Sequence, residues 1–396
     1  MDQTTGRRKQ DKGRSDRSTL TIDGRVSLRR RRYHSRGEGS TTPGDDWLDA
    51  AHATISLATR DLCCQLNMAS RSFEMTASNV MKSARLSLSA ETLRQLVEDQ
   101  GKSALEQSRT GELGPAWRAA QCKRPDGQSL VYLSSDGFMA PMITDQEKQT
   151  RREKVMAKRK TRKGGKRRLS SVKRGSDQRY KEFKAVMFYD HDLEHRQVSV
   201  TCGDCHSAGK LMTRDAWRLG FAAADFRVGN IDGGPWIINQ IHARKLPMTA
   251  TGLDFYHLGE NVHKARRIVF GEEDARGKRT ADDLMHTVKH EGYEPMRQKL
   301  MEIRQTTRGA RRKAVDRLIE YVSDRREMIR YPEFIKNGWH IGSGAMESQC
   351  RVVPDRVKGP GKRWDADNAE SIMALEAIYQ SGQATAYWNL AMSGRN

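Results

Sequence analysis

Nowhere in the 396 residues is there an apolar run that approaches the ~18 residues of a membrane-spanning helix. The N-terminus also lacks the apolar core of a secretory signal, so a cytoplasmic, nucleoid-associated location is expected, with no membrane partner. Cysteine is scarce. Cys63, Cys64, Cys122, Cys202, Cys205 and Cys350 are too few in a chain of this length for a disulfide framework, and reduced thiols are expected. No internal repeat is present. Acid is short relative to base, with 50 Asp and Glu against 71 Lys and Arg and a net charge of +21. The shortage is local: residues 1–36 carry a net +8 and residues 145–180 a net +11. The remainder is nearly neutral. A near-neutral body with two basic segments fits a polyanion binder, because each phosphate neutralised releases counterions without regard to base sequence.

The length accommodates about two to three domains. Residues 1–45 are too polar to bury a core and are expected to be a disordered basic tail. From about Trp47 the apolar residues take helical spacing, and residues 46–127 read as a helical, helix-turn-helix-like DNA-binding region followed by a linker from Gly111 to Gln128. Within it, Ser89 is placed to cap a helix that Gly101 would end. Strand patterns follow at Leu130–Asp136, 183–190 and 196–203. The basic run 145–180 interrupts them as a solvated excursion. A helix over 207–225 leads to strand, helix and strand again, and residues 272–335 read as a helical insertion. The order β-β-β-α-β-α-β, then helices, predicts an α/β fold with an RNase H-like mixed sheet over 128–390.

Residues 225–260 carry the chemistry. An apolar run ends at Asp232 with two glycines behind it, a short amphipathic segment spans Trp236 to Ile241, and a second apolar run delivers Asp254 and His257. Open α/β sheets bind ligands beyond the C-terminal ends of their strands, where these acids fall. Asp136 interrupts the first strand, and Glu347 sits on a helix opened by Gly342-Ser343-Gly344. Asp136, Asp232 and Glu347 are the expected catalytic acids and metal ligands. Hard carboxylate oxygens suit Mg²⁺, with Mn²⁺ able to substitute. Two such ions activate the attacking oxygen and stabilise the leaving one in phosphoryl displacement. Asp254 competes with Asp232, but it closes the fifth strand rather than the fourth and is assigned a supporting role with His257. Arg351, Arg356 and Lys358, together with Lys362 and Arg363 of "KGPGKRW" and Arg167 and Arg168 of the basic run, are expected to hold DNA phosphates. Pro354 should break or kink the Glu347 helix, and Trp364 with the stripe Ile372, Leu375, Ile378 and Tyr379 reads as core. "CGDCH" (202–206) lacks two further ligands at a familiar spacing and reads as a β-turn with buried thiols.

The motifs "SSDGF", "GNIDGGPWI", "LDFYHLGENV" and "GSGAMESQCRVVPDRVKGPGKRW" resemble those of DDE transposases of bacterial insertion sequences. The resemblance covers most of residues 130–390. It implies an RNase H-like domain that cuts transposon ends and joins the freed 3′ hydroxyl to target DNA, working as a homo-oligomer on double-stranded DNA. Asp136, Asp232 and Glu347 match the three catalytic acids, and Asp254 with His257 matches an Asp-x-x-His element. A catalytically decayed DNA-binding derivative and a structure-specific nuclease share the same residues.

Overall fold

The computed structural model describes residues 6, 8–45, 54–161, 169, 171–359 and 361–392. They fall into two compact units. One joins residues 1–114, 140–181 and 353–396, and the other joins 115–139 and 182–352.

The first unit opens with an antiparallel sheet in the order β1 (Gln10–Thr21), β2 (Gly24–Ser35), β3 (Gly39–Thr41). Over residues 10–41 this replaces the disorder expected for the basic tail 1–45. Asp16 stands opposite Arg29, and Asp11, opposite Tyr33, lies 3.6 Å from Arg31, so acids offset part of the strands' charge. A two-residue turn at Ile22-Asp23 sets their register. Three helices follow, α1 (Leu57–Met68), α2 (Phe73–Ala84) and α3 (Ala90–Thr110), each capped by a serine (Ser56, Ser72, Ser89) whose hydroxyl accepts an amide three residues on. Gly101 does not end α3. It lies mid-helix where a Cβ would meet the Ser371 carbonyl oxygen at 2.6 Å, so the glycine serves a close helix contact. The stop is Gly111, at φ 88°. The basic run is not wholly irregular either: α4 (Asp145–Lys160) starts from a capping box of Thr144 and Glu147 and buries no side chain.

The second unit holds the sheet. Its strands β4 (Leu130–Pro141), β5 (Tyr180–Asp190), β6 (Arg196–Thr201), β7 (Phe226–Ile231) and β8 (Ala250–Leu253) lie in the order β6-β5-β4-β7-β8. β4, β7 and β8 are parallel, and β5 and β6 pair antiparallel. Residues 130–135 of β4 are buried without alternation, as a central strand covered on both faces requires. α5 (Cys205–Leu219), α6 (Pro235–Ala243) and α7 (Phe255–Phe270) alternate with the later strands and share with them a core of Val131, Leu133, Phe188, Met212, Ile237 and Leu258. The expected helical insertion is α8 (Ala275–His290), α9 (Tyr293–Thr306), α10 (Gly309–Asp324) and α11 (Tyr331–Lys336). α12 (Gly344–Val352) completes the unit and ends ahead of Pro354. The expected linker is instead part of this core: Trp117, Ala119 and Cys122 are buried in it.

α13 (Ala366–Gln380) and α14 (Ala384–Met392) belong to the first unit. Trp364, Ile372, Leu375 and Ile378 are buried, as predicted, whereas Tyr379 is half-buried and donates its hydroxyl to Asp61 at 2.6 Å; Arg109 of α3 pairs with Glu370 of α13 at 3.1 Å. The last sequence block therefore groups with the N-terminal helices rather than with the sheet. Among the described residues no helix is long and apolar enough to cross a membrane.

Candidate active site

The pairing of β4 with β7 is parallel, Leu130 to Phe226 through Leu133 to Gly229, so the chain reaches Asp136 and Asp232 after the same number of residues. Asp136 accepts the Gly137 amide at 2.6 Å, and Asp232 accepts that of Gly234 at 2.7 Å. Both are half-buried. Burial pushes the Asp136 carboxyl above its ordinary range and the negative charge of Asp232 adds to the shift, against the Gly137 amide, a hydrogen bond from Cys350 and the charge of His257. The turn behind Asp232 depends on glycine. Gly233 has φ +83°, a Cβ there would meet Leu253 at 2.6 Å, and Arg325 donates to its carbonyl at 2.9 Å.

Asp254 is committed to structure. It is 2% exposed and caps α7, where it accepts the His257 amide at 2.8 Å. It also accepts the Ser343 amide from the turn before α12 and lies 3.3 Å from His257 Nδ1. Burial would raise its carboxyl, but the hydrogen bonds from His257 and Ser343 outweigh this and hold it well below the carboxylate range. The Asp254 hydrogen bond is the main reason His257 is raised to about 9. Burial opposes that shift, and the charges of Asp254, Asp232 and Glu260 support it. At neutral pH His257 is a cation beside the acids, which suits a counter-charge rather than a general base.

Glu347 lies in the first turn of α12, but its side chain is 60% exposed and paired with Arg351. Asp136, Asp232 and Glu347 do not form a group with all ligand atoms within 4.8 Å of one another. The helix nevertheless reaches the site, because Cys350, one turn beyond Glu347, bonds Asp136.

The expected phosphate contacts divide. Arg351 is exposed. Arg356 is not available: it is 3% exposed, donates to Asn67 Oδ1 at 3.1 Å and lies 4.4 Å from the Phe73 ring centre and 5.5 Å from that of Trp364. Aromatic rings on two sides and a buried amide make it a core cation. Lys362 is turned inward too, its ammonium donating to the carbonyls of Arg356 and Lys358 at 3.1 and 3.0 Å. Arg363 lies 3.6 Å from Glu147, and Lys358 is half-buried. Arg167 and Arg168 lie outside the described residues. "CGDCH" differs from the turn expected: Asp204 caps α5, Cys205 and His206 begin it, and both cysteines are half-exposed.

Several site residues escaped sequence reasoning. Ser343 and Cys350 act on the acids, and Lys184, 4% exposed, donates to Glu182 at 2.6 Å and sits 5.0 Å from the Trp236 ring centre. A Cβ on Gly137 would strike the same Glu182. The alternation in Glu182-Phe183-Lys184 put both charges on one side of β5, but nothing local tied them to Asp136.

No family model matches the chain, and no curated protein matches it in sequence.

Proposed function

We propose that this chain is a DNA strand-processing enzyme of the transposase type, cutting at element ends and joining the 3′ hydroxyl to target DNA. The reading rests most on one observation: the parallel register of β4 and β7 carries Asp136, on the central strand, and Asp232, just beyond its neighbour, to the same level of the sheet, both half-buried. The strand order, with β4 central and β7 and β8 parallel to it, supports assigning an RNase H-like fold.

The donors fit a hard divalent cation. Both are carboxylates, and a positive ion between them would favour the charged form of Asp136 against the burial that lifts it. Asp136 and Asp232 would hold Mg²⁺ or Mn²⁺, with Glu347 recruited by releasing Arg351. Bound there, the metal supplies Lewis-acid stabilisation of the attacking and leaving oxygens. The remaining work is the protein's own. Asp254 fixes α7 and α12 to each other through His257 and Ser343, His257 supplies fixed positive charge, and Arg351, once freed, is placed to take a backbone phosphate. The basic N-terminal strands and α4 add sequence-independent affinity for duplex DNA. A homo-oligomer acting on paired ends is part of the proposal.

The Glu347–Arg351 pair favours a second reading, a DNA-binding derivative that has lost catalysis. Incubating the full chain with Mg²⁺ and labelled DNA flanking its own reading frame separates the possibilities. Joined product supports a transposase, cleavage without joining a nuclease, and binding alone the decayed form.

A further inference from the structure

At the opposite end of the sheet from Asp232, a second group of side chains converges. Tyr132 stacks on Tyr189 at 5.1 Å and Ser135 donates to the Ala185 carbonyl, so β5 runs antiparallel to β4. The last residue of β5, Asp190, therefore lies beside the start of β4. Cys122 is held there as well, its carbonyl accepting the Leu130 amide at 2.9 Å. The five-residue turn after Asp190 returns His195 to the same place. His195 donates its amide to Asp190 Oδ1 at 3.0 Å and sets Nδ1 2.7 Å from Oδ2. The ligand atoms of Cys122, Asp190 and His195 all lie within 4.8 Å of one another, and among the described residues this is the group of metal-ligand side chains that meets that distance.

We propose that Cys122, Asp190 and His195 bind one zinc ion, with water completing a tetrahedral set. The donor types select the metal. One sulfur, one imidazole nitrogen and one carboxylate oxygen form a borderline-soft set that suits Zn²⁺ and excludes Mg²⁺, which takes oxygen ligands alone. Burial selects the geometry. Cys122 and Asp190 are 5% and 7% exposed, while the His195 side chain keeps 38% of its surface, which leaves one open side for the ion and a water. The Trp117 ring, 5.8 Å from that of His195 and 4% exposed itself, closes the apolar flank. As the ion binds, the thiol releases its proton to solvent, the neutral His195 ring passes its Nδ1 proton through solvent to Nε2, and the His195–Asp190 hydrogen bond gives way to two metal bonds. The ion ties the segment before β4 to the β5–β6 turn, so it clamps the sheet at the end away from the carboxylates. The site is independent of the proposed strand-transfer chemistry.

The test is metal analysis of the full-length protein expressed with zinc, followed by Co²⁺ replacement and absorption spectroscopy. About one zinc per chain, a sulfur-to-cobalt charge-transfer band and a Tm lowered by a zinc-selective chelator are expected. His195→Ala and Cys122→Ser should each lose the ion and the chelator response, while Cys202→Ser keeps both. Far-UV circular dichroism confirms that the variants are folded, and His195→Ala, at a partly exposed position, keeps the test decisive if Cys122→Ser fails to fold. A wild type that binds no zinc and gives no thiolate band would overturn the proposal. Full zinc retention in His195→Ala would overturn it too.

Discussion

The buried carboxylate of Asp254 accepts the backbone amide of Ser343, 89 residues further along, and so fastens the start of α7 to the turn that opens α12. The helix that carries Glu347 is thus positioned by an acid whose two oxygens each accept a backbone amide. Asp254→Asn keeps the shape but turns one amide-accepting oxygen into a donor. A loss of about 1–3 kcal/mol is expected for the unpaired buried group, read by urea unfolding.

Asp254 and His257 together set a pH dependence. The His257 value of about 9 lies above its ordinary 6.5, so its contribution to stability is full below 6.5 and lost as the pH rises through 9. The Asp254 carboxyl is depressed, so its contribution is present above 3.8 and lost as the pH falls further. NMR titration of the imidazole protons should place His257 near 9 in the wild type and substantially lower in Asp254→Asn, with His257→Gln supplying the assignment.

Removing one of two repelling acids should help the metal-free protein and harm the metal-bound one. Asp232→Asn is expected to raise Tm without divalent ions and to abolish stabilisation by Mg²⁺, which in the wild type should reach about 2.7 kcal/mol at a hundredfold excess over Kd. Differential scanning calorimetry with and without Mg²⁺ reads both.

Arg356 and Arg351 separate stability from binding. Arg356→Ala strips a buried cation from Phe73 and Trp364 and should cost at least about 2 kcal/mol, the scale of a desolvated cation–π contact. Arg351→Ala, on an exposed face, should leave Tm nearly unchanged and weaken DNA binding with a shallower salt dependence.

Gly101→Ala should push α3 from α13, because the new methyl meets the Ser371 carbonyl oxygen at 2.6 Å. A cost of about 1–3 kcal/mol, as for an overpacked core, is expected in thermal unfolding.

The sheet was legible in the sequence because β4 and β5 each hold a short apolar stretch, Leu130–Leu133 and Ala185–Tyr189, and because β7 and β8 are each followed by an acid and a helix pattern. The positions of Asp136 and Asp232 followed from that order alone. The basic segments were not legible. Arginine-rich strands 10–41 pair through a few aspartates whose partners are set by register, and α4 owes its start to a capping box rather than to an apolar stripe. Arg356 misled for a related reason: an arginine in a basic motif reads as surface until Phe73, some 280 residues earlier, is seen beneath it. Cys122, Asp190 and His195 gave no spacing signal because the fold, and not the motif, gathers them.

The most direct test of the proposed chemistry compares the wild type with Asp136→Asn on labelled flanking DNA in Mg²⁺, with DNA binding measured in parallel. Cleaved and joined strands from the wild type, none from the variant and equal binding by both are the expected result. Equal cleavage by Asp136→Asn, or binding without any cleavage by the wild type in Mg²⁺ and Mn²⁺ alike, would contradict the assignment of Asp136 and Asp232 as the catalytic pair.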